Sequence, residues 1–246
     1  MALPATSDLF GAAMLVVGAV VLLVSLRYVW RAVAVYRATP TDSLARAPPG
    51  SLVRLDGTAE ASDEGTLTAP FSGRESLALR YAVEERRLGL YLLPWFVTIH
   101  ERAGSVPFRL RTPEGVVDVV EPTRTVTLGR EVVATVAPGE TPPERVAGFE
   151  ARTDAVPTTT VWYARPFGVG AVASALSLGT RRYSEQRATP GDDVTVVGRV
   201  TAAGVDPLVV SDRSPVGTVR RMASTSLAGL AVGAVALSLG VLLLVA

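Results

Sequence analysis

Two stretches without a single charge bound what this chain can be. Leu9 to Leu26 reads LFGAAMLVVGAVVLLVSL, and Leu227 to Ala246 reads LAGLAVGAVALSLGVLLLVA. A bilayer core is ~30 Å thick and an α-helix rises ~1.5 Å per residue, so about 20 apolar residues span it. The runs predict two transmembrane helices, over residues 9–30 and 225–246, the first ending in Tyr28 and Trp30, residues suited to an interface. A cleaved signal peptide is the rival for the first run, but it needs a basic start, and here Asp8 precedes the run while arginines follow it. A buried core helix is the rival for the second, which reaches Ala246 with no polar return.

Orientation follows from arginine. Arg27, Arg31 and Arg37 follow the first run, Arg213, Arg220 and Arg221 precede the second, and neither outer end carries a basic side chain. Positive residues stay inside, so the middle of the chain is expected in the cytoplasm. The basic residues are all arginine and asparagine is absent, a usage associated with GC-rich prokaryotes. The expectation is an integral protein of a prokaryotic plasma membrane, with the lipid bilayer as its first partner. Gly229, Gly233, Ala236 and Gly240 space small residues along the second run. In lipid, helices associate through such close backbone approaches. This face is expected to pack near Gly11 and Gly18 of the first helix, or on a second copy in a homo-oligomer.

Residues 38–51, rich in Pro, Ser and Thr, read as a linker. From 52 to 212 the signals are those of strands. Leu77, Leu79, Tyr81 and Val83 alternate with polar residues, the mark of a half-buried strand. Trp95 to His100 predicts another. Phe108 and Leu110 share a face, Thr112-Pro113-Glu114-Gly115 turns, and Val116 to Val120 returns, so a hairpin is expected. Strands follow at Glu131–Val136, Val194–Thr201 and Pro207–Ser211, a short helix at Glu144–Ala151, and an irregular or helical segment over 166–179. The fold class is therefore a membrane protein in which two transmembrane helices flank a mainly-β (β-rich α+β) soluble domain, a small barrel or sandwich.

Chemistry is sparse. Cysteine is absent, which excludes disulfides, thiol nucleophiles and zinc-thiolate sites. His100 is the only histidine, no G-x-S-x-G elbow accompanies it, and it is expected to be a capped or hydrogen-bonded structural residue. No catalytic, cofactor-binding or metal-ligating residue is assigned, no cofactor is expected, and a net charge of +1 gives no reason to expect nucleic acid. The charge clusters Glu84-Glu85-Arg86-Arg87 and Arg181 to Glu185 are expected to be solvated faces. One run departs from ordinary loops: Leu88 to Trp95, LGLYLLPW, is apolar where a connection should be polar. Leu90, Tyr91, Leu93 and Trp95 are candidates for a surface that meets lipid or a membrane protein partner; the alternative is a buried strand start.

The stretch IHERAGSVPFRLRTPEGVVDVV, with GTAEA near Gly57, TLTAPFSGRESLALRYAVEE from Thr66 and RRYSEQRATPGDDVTVVGRV from Arg181, resembles the GIDE (beside-a-membrane, BAM) domain. That domain occurs in organellar E3 ubiquitin ligases and prokaryotic membrane proteins. The resemblance implies a membrane-anchored, non-catalytic binding or scaffold domain over 52–212. The ligases act through a RING whose zinc sits on cysteines and histidine, which these residues cannot supply; a role as a component of a ubiquitin-like ligase is the weaker alternative. The stretch PGDDVTVVGRV…PLVV is also similar to OB-like domains such as those of the NfeD family, which implies an accessory subunit of a membrane protease or stomatin-type complex.

Overall fold

The computed structural model describes residues 6–245 except 90–92, 124, 158–159, 165–169 and 213–214. Helix α1 (Thr6–Arg37) precedes strands β1 (Thr39–Pro40), β2 (Leu52–Ala61), β3 (Leu67–Thr68), β4 (Glu75–Ser76), β5 (Ala78–Leu88) and β6 (Pro94–Ser105). Strands β7 (Phe108–Thr112), β8 (Gly115–Val119), β9 (Val126–Thr127) and β10 (Arg130–Val136) lead to helices α2 (Glu144–Arg152), α3 (Val161–Ala164) and α4 (Gly170–Ala175). Strands β11 (Arg181–Ala188), β12 (Asp193–Thr201) and β13 (Gly204–Ser211) precede helix α5 (Pro215–Val245). These elements form two compact units, one of residues 1–39 with 213–246 and one of residues 40–212.

In the first unit α1 and α5 pack together. Within α1, Leu9–Arg27 has a mean hydropathy of 2.7 over 19 residues, long and apolar enough to cross a bilayer. The described apolar part of α5, Gly229–Leu244, is shorter. Gly11 approaches the carbonyl oxygen of Gly240, Gly18 that of Gly233, and Ser25 lies against Gly229. Numbers rise along one helix as they fall along the other, so the pair is antiparallel. Leu15, Leu22, Leu237 and Leu244 pack against these glycines, whereas Leu9, Val16, Leu23, Val232, Val235 and Leu242 are exposed.

The second unit is mainly β. Its larger sheet closes on itself, because β2 pairs with both β12 and β7. The ring runs β2, β12, β13, β8, β7 and back to β2, a five-stranded barrel. Every neighbour is antiparallel except β8 and β13, which meet in parallel at Val119 and Val205. Of the two expected architectures, the domain therefore has the barrel. Alternation fills it: Val53, Leu55, Leu110, Val117, Val119, Val196 and Val205 are buried inside, while Arg109, Arg111 and Asp118 point out. The Phe108–Val119 hairpin forms with Thr112 opposite Gly115, whose φ of 148° is a conformation that suits glycine.

Two insertions between barrel strands build a second lobe. Strands β3 to β6 lie between β2 and β7, and β9 to β11 with α2 to α4 lie between β8 and β12. From them comes a four-stranded antiparallel sheet in the order β10, β11, β5, β6. Its root joins the barrel core through Leu77, Ala78 and Ala188. From Ala78 to Leu88 the sheet extends about 34 Å, at ~3.4 Å per residue. One face is covered by α2 and by Phe71, which with Tyr183, Phe149, Val83, Val136, Val146 and Val156 makes a separate core. Rings of Phe71, Tyr81, Phe149 and Tyr183 meet edge to face at 5.1–5.7 Å.

Candidate functional site

The arm buries charge, against the reading of its two charge clusters as solvated faces. Glu85 and Glu185 are 0% exposed and Arg181 2%. Register is the reason: β11 runs antiparallel to β5 with Arg181 opposite Glu85 and Arg182 opposite Glu84, so the two clusters neutralise each other across the strands. On the face under α2, Arg181 donates to Glu150 (2.8 Å) and lies over the Tyr163 ring (4.1 Å). Glu85 accepts from Arg87 (2.9 Å) and from the Thr160 hydroxyl (2.8 Å). Tyr183 donates to Glu150 at 2.6 Å, and burial followed by that carboxylate holds its phenol well above the usual range. Glu185 pins the loop before β4, accepting from the backbone N–H groups of Phe71 (2.7 Å) and Ser72 (3.1 Å) and from the Ser72 hydroxyl (2.6 Å).

On the opposite face Glu84 bridges Arg130 and Arg182. Burial works to raise its carboxyl, but hydrogen bonds from Arg130 and Arg182 outweigh it and leave the carboxyl below its ordinary value. Arg182 also stacks at 4.0 Å on Phe96.

The far end of the arm differs in kind. Leu93 is 69% exposed and Trp95 62%. Trp95, the second residue of β6, stands opposite Arg87, its indole nitrogen over Gly89. Exposed Val161 of α3 stands towards the same end, since Thr160, just before α3, donates to Glu85 and accepts from the Tyr163 N–H. Leu90 and Tyr91, the other two residues singled out in the run, lie outside the described residues.

His100 sits in β6 opposite Val83. Its ring is 5.8 Å from Tyr81 and 5.9 Å from Phe149. The sequence predicts a capped or hydrogen-bonded histidine, but its Nε2 is buried with no hydrogen-bond partner among the described residues. Burial, and then the positive charge of Arg102, keep its pKa below the ordinary 6.5. The aromatic floor around it leaves room beside the end of α2, in a cavity of about 410 Å³. Among the described residues no cluster of three or more His, Asp or Glu could hold a metal ion.

Of the small residues on α5, Gly233 and Gly240 are buried and Gly229 and Ala236 half-buried. A Cβ at Gly233 would lie 2.9 Å from Leu22 and 3.2 Å from the Gly18 carbonyl, and one at Gly240 2.8 Å from Leu15. Reading the sequence missed Ser25, which continues Gly11 and Gly18 at the same seven-residue spacing and meets Gly229. It also missed the buried Glu85, Arg181 and Glu185, where a balance of opposite charges between two strand-length segments was the available signal. No family model matches the chain, and no curated protein or solved structure matches it either.

Proposed function

We propose that the chain is a membrane-anchored, non-catalytic binding module of the GIDE type, in which the barrel is the scaffold and the arm's far end docks on the lipid headgroup region. Two antiparallel spans would tether the domain, which lies on the cytoplasmic side of a prokaryotic plasma membrane by the arginine rule. The helix pair supports this: glycines and Ser25 permit close approach, while many large aliphatic side chains, Val16, Leu23, Val232 and Leu242 among them, face outward. The observation that carries the functional reading is the pair Leu93 and Trp95, two large apolar side chains exposed together at the far end of the arm. Tryptophan beside arginine is the composition of a membrane interface, and Arg86 and Arg87 flank this end. Burying the apolar parts of Leu93, Trp95 and Val161 supplies several kcal/mol at roughly 25 cal/mol per Å².

The test uses the full chain in vesicles carrying a photoactivatable lipid. Adducts are expected on the first residues of β6, and Leu93→Ser with Trp95→Ser should reduce them several-fold while leaving adducts on α1 unchanged. Equal β6 labelling in the double variant would overturn the docking surface.

A second reading has its own support. A five-stranded barrel with this crossed-over strand order is the architecture of OB folds, which favours an accessory subunit of a membrane protease or stomatin-type complex. Copurification of such a protease or stomatin-like protein from native membranes would select it.

A further inference from the structure

The arginines of the arm's sheet are engaged almost without exception. Arg80 pairs with Glu101, Arg87 with Glu85, Arg130 and Arg182 with Glu84, Arg181 with Glu150, Arg187 with Glu131, and Arg86 faces the Phe96 ring. Arg102 is the exception. Neither it nor Arg152, at the end of α2, makes an ion pair or a side-chain hydrogen bond among the described residues. Both line one cavity of about 410 Å³, whose other walls include Tyr81, His100, Phe149 and Asp154. Strand register explains the convergence. His100 and Arg102 are two residues apart on β6, so they share the face on which Phe149 packs, and Tyr81 stands opposite Arg102.

The cavity combines three properties. Its floor is aromatic, with Tyr81, His100 and Phe149 rings 5.6–5.9 Å apart. Its rim carries two arginines against one acid. Its histidine keeps a buried Nε2 with no hydrogen-bond partner among the described residues, although buried polar atoms nearly always find a partner. Guanidinium groups match carboxylates in a planar, two-pronged geometry, and a volume within ~300–1,000 Å³ suits a small molecule.

We propose that this cavity binds a small planar organic carboxylate, its carboxylate held by Arg102 and Arg152 and its flat body packed among the mutually inclined Tyr81, His100 and Phe149 rings. The site is separate from the exposed end of the arm. Tyr81 and His100 are about 20 Å or more from Leu88 and Pro94 measured along their strands, so ligand binding and lipid docking can be lost independently.

His100 is the only histidine, so histidine-labelled full chain in detergent gives one imidazole signal in NMR. Benzoate is the probe, with benzamide as its neutral isostere, cyclohexanecarboxylate as its non-planar analogue and inorganic phosphate as a plain anion. Benzoate should move the His100 signal saturably, and benzamide should not. Cyclohexanecarboxylate and phosphate should bind at least several-fold more weakly. Arg102→Gln with Arg152→Gln should abolish saturation while near-ultraviolet dichroism shows the fold retained; Arg102→Lys alone should keep part of it. Asp154→Asn should tighten binding by removing the opposing charge. No saturable shift with benzoate, an equal response to benzamide, or an unchanged affinity in the double arginine variant would each overturn the site. Phosphate binding as tightly as benzoate would overturn the aromatic part of the assignment.

Discussion

The barrel and the arm solve the same problem with opposite materials. The barrel interior is largely aliphatic: Val53, Leu55, Leu110, Val196 and Val205 fill it beside a single aromatic ring, Phe108. The arm holds a smaller aromatic core and surrounds it with carboxylates and guanidinium groups that are out of water. A single twisted sheet extending from a barrel cannot enclose a large core. Its strands are instead locked by charge-assisted hydrogen bonds, and Glu185 fastens the Phe71 loop over one face. Buried ion pairs contribute little net stability against a well-packed apolar alternative, yet removing one partner is severe because the other is left desolvated. The barrel should therefore respond to lost volume and the arm to lost charge.

The largest expected effect follows from that asymmetry. Glu185→Ala orphans two backbone N–H groups and the Ser72 hydroxyl and weakens the hold on Arg187. It should cost about 3–5 kcal/mol, read by thermal unfolding of the full chain in detergent, with the aromatic near-ultraviolet dichroism of the arm lost first. Val196→Ala in the barrel should cost about 2 kcal/mol from two lost methyl groups and a partly collapsed cavity, with no early loss of the arm signal. Equal behaviour of the two variants would erase the distinction between the lobes.

Acid should act through the arm. Glu84 titrates below its ordinary 4.5 when folded, so its contribution is complete above that value and is lost as pH falls through the folded value. His100 titrates below its ordinary 6.5 when folded, so the unfolded chain takes up the proton first and stability also declines as pH falls below about 6.5. The unfolding temperature should drop from pH 7 to pH 4, and Glu84→Gln should flatten the lower part of that slope. A slope unchanged by Glu84→Gln would assign the acid response elsewhere. The smallest effect belongs to the exposed end: Leu93→Ser should change stability by no more than about 0.5 kcal/mol, as for surface positions generally, even though it removes a large apolar side chain.

The two lobes also differed in how far the sequence revealed them. Alternation marked β5 and β7, and Pro113-Glu114-Gly115 marked the hairpin turn, because each signal is local. The closure of the barrel was not legible. It depends on β2 meeting both β7 and β12 and on the parallel contact of β8 with β13, pairings across long sequence separations that no local pattern encodes. The arm misled for a related reason. Glu84-Glu85 and Arg181-Arg182 each look solvated alone, and only the register that sets them opposite each other gives them a buried role. The cavity beside His100 is non-local too: Arg102 and Arg152 come from a strand and a helix end separated by β7 to β10. The α5 glycines stood out by spacing, whereas their partner Ser25 needed the antiparallel pairing to be noticed.

The central claim is that the arm's end, and not the barrel, meets the membrane. The chain has no cysteine, so single spin labels at Leu93→Cys on the arm and Val116→Cys on the barrel can be compared in the full chain in liposomes. Both native side chains are apolar and exposed. Accessibility to oxygen, which concentrates in lipid, is measured against accessibility to a water-soluble nickel chelate. The label at residue 93 should favour oxygen and the label at residue 116 the chelate. Equal, chelate-dominated accessibility at the two positions would contradict the account, as would protection of residue 93 from both reagents, which would place a protein rather than lipid on the arm.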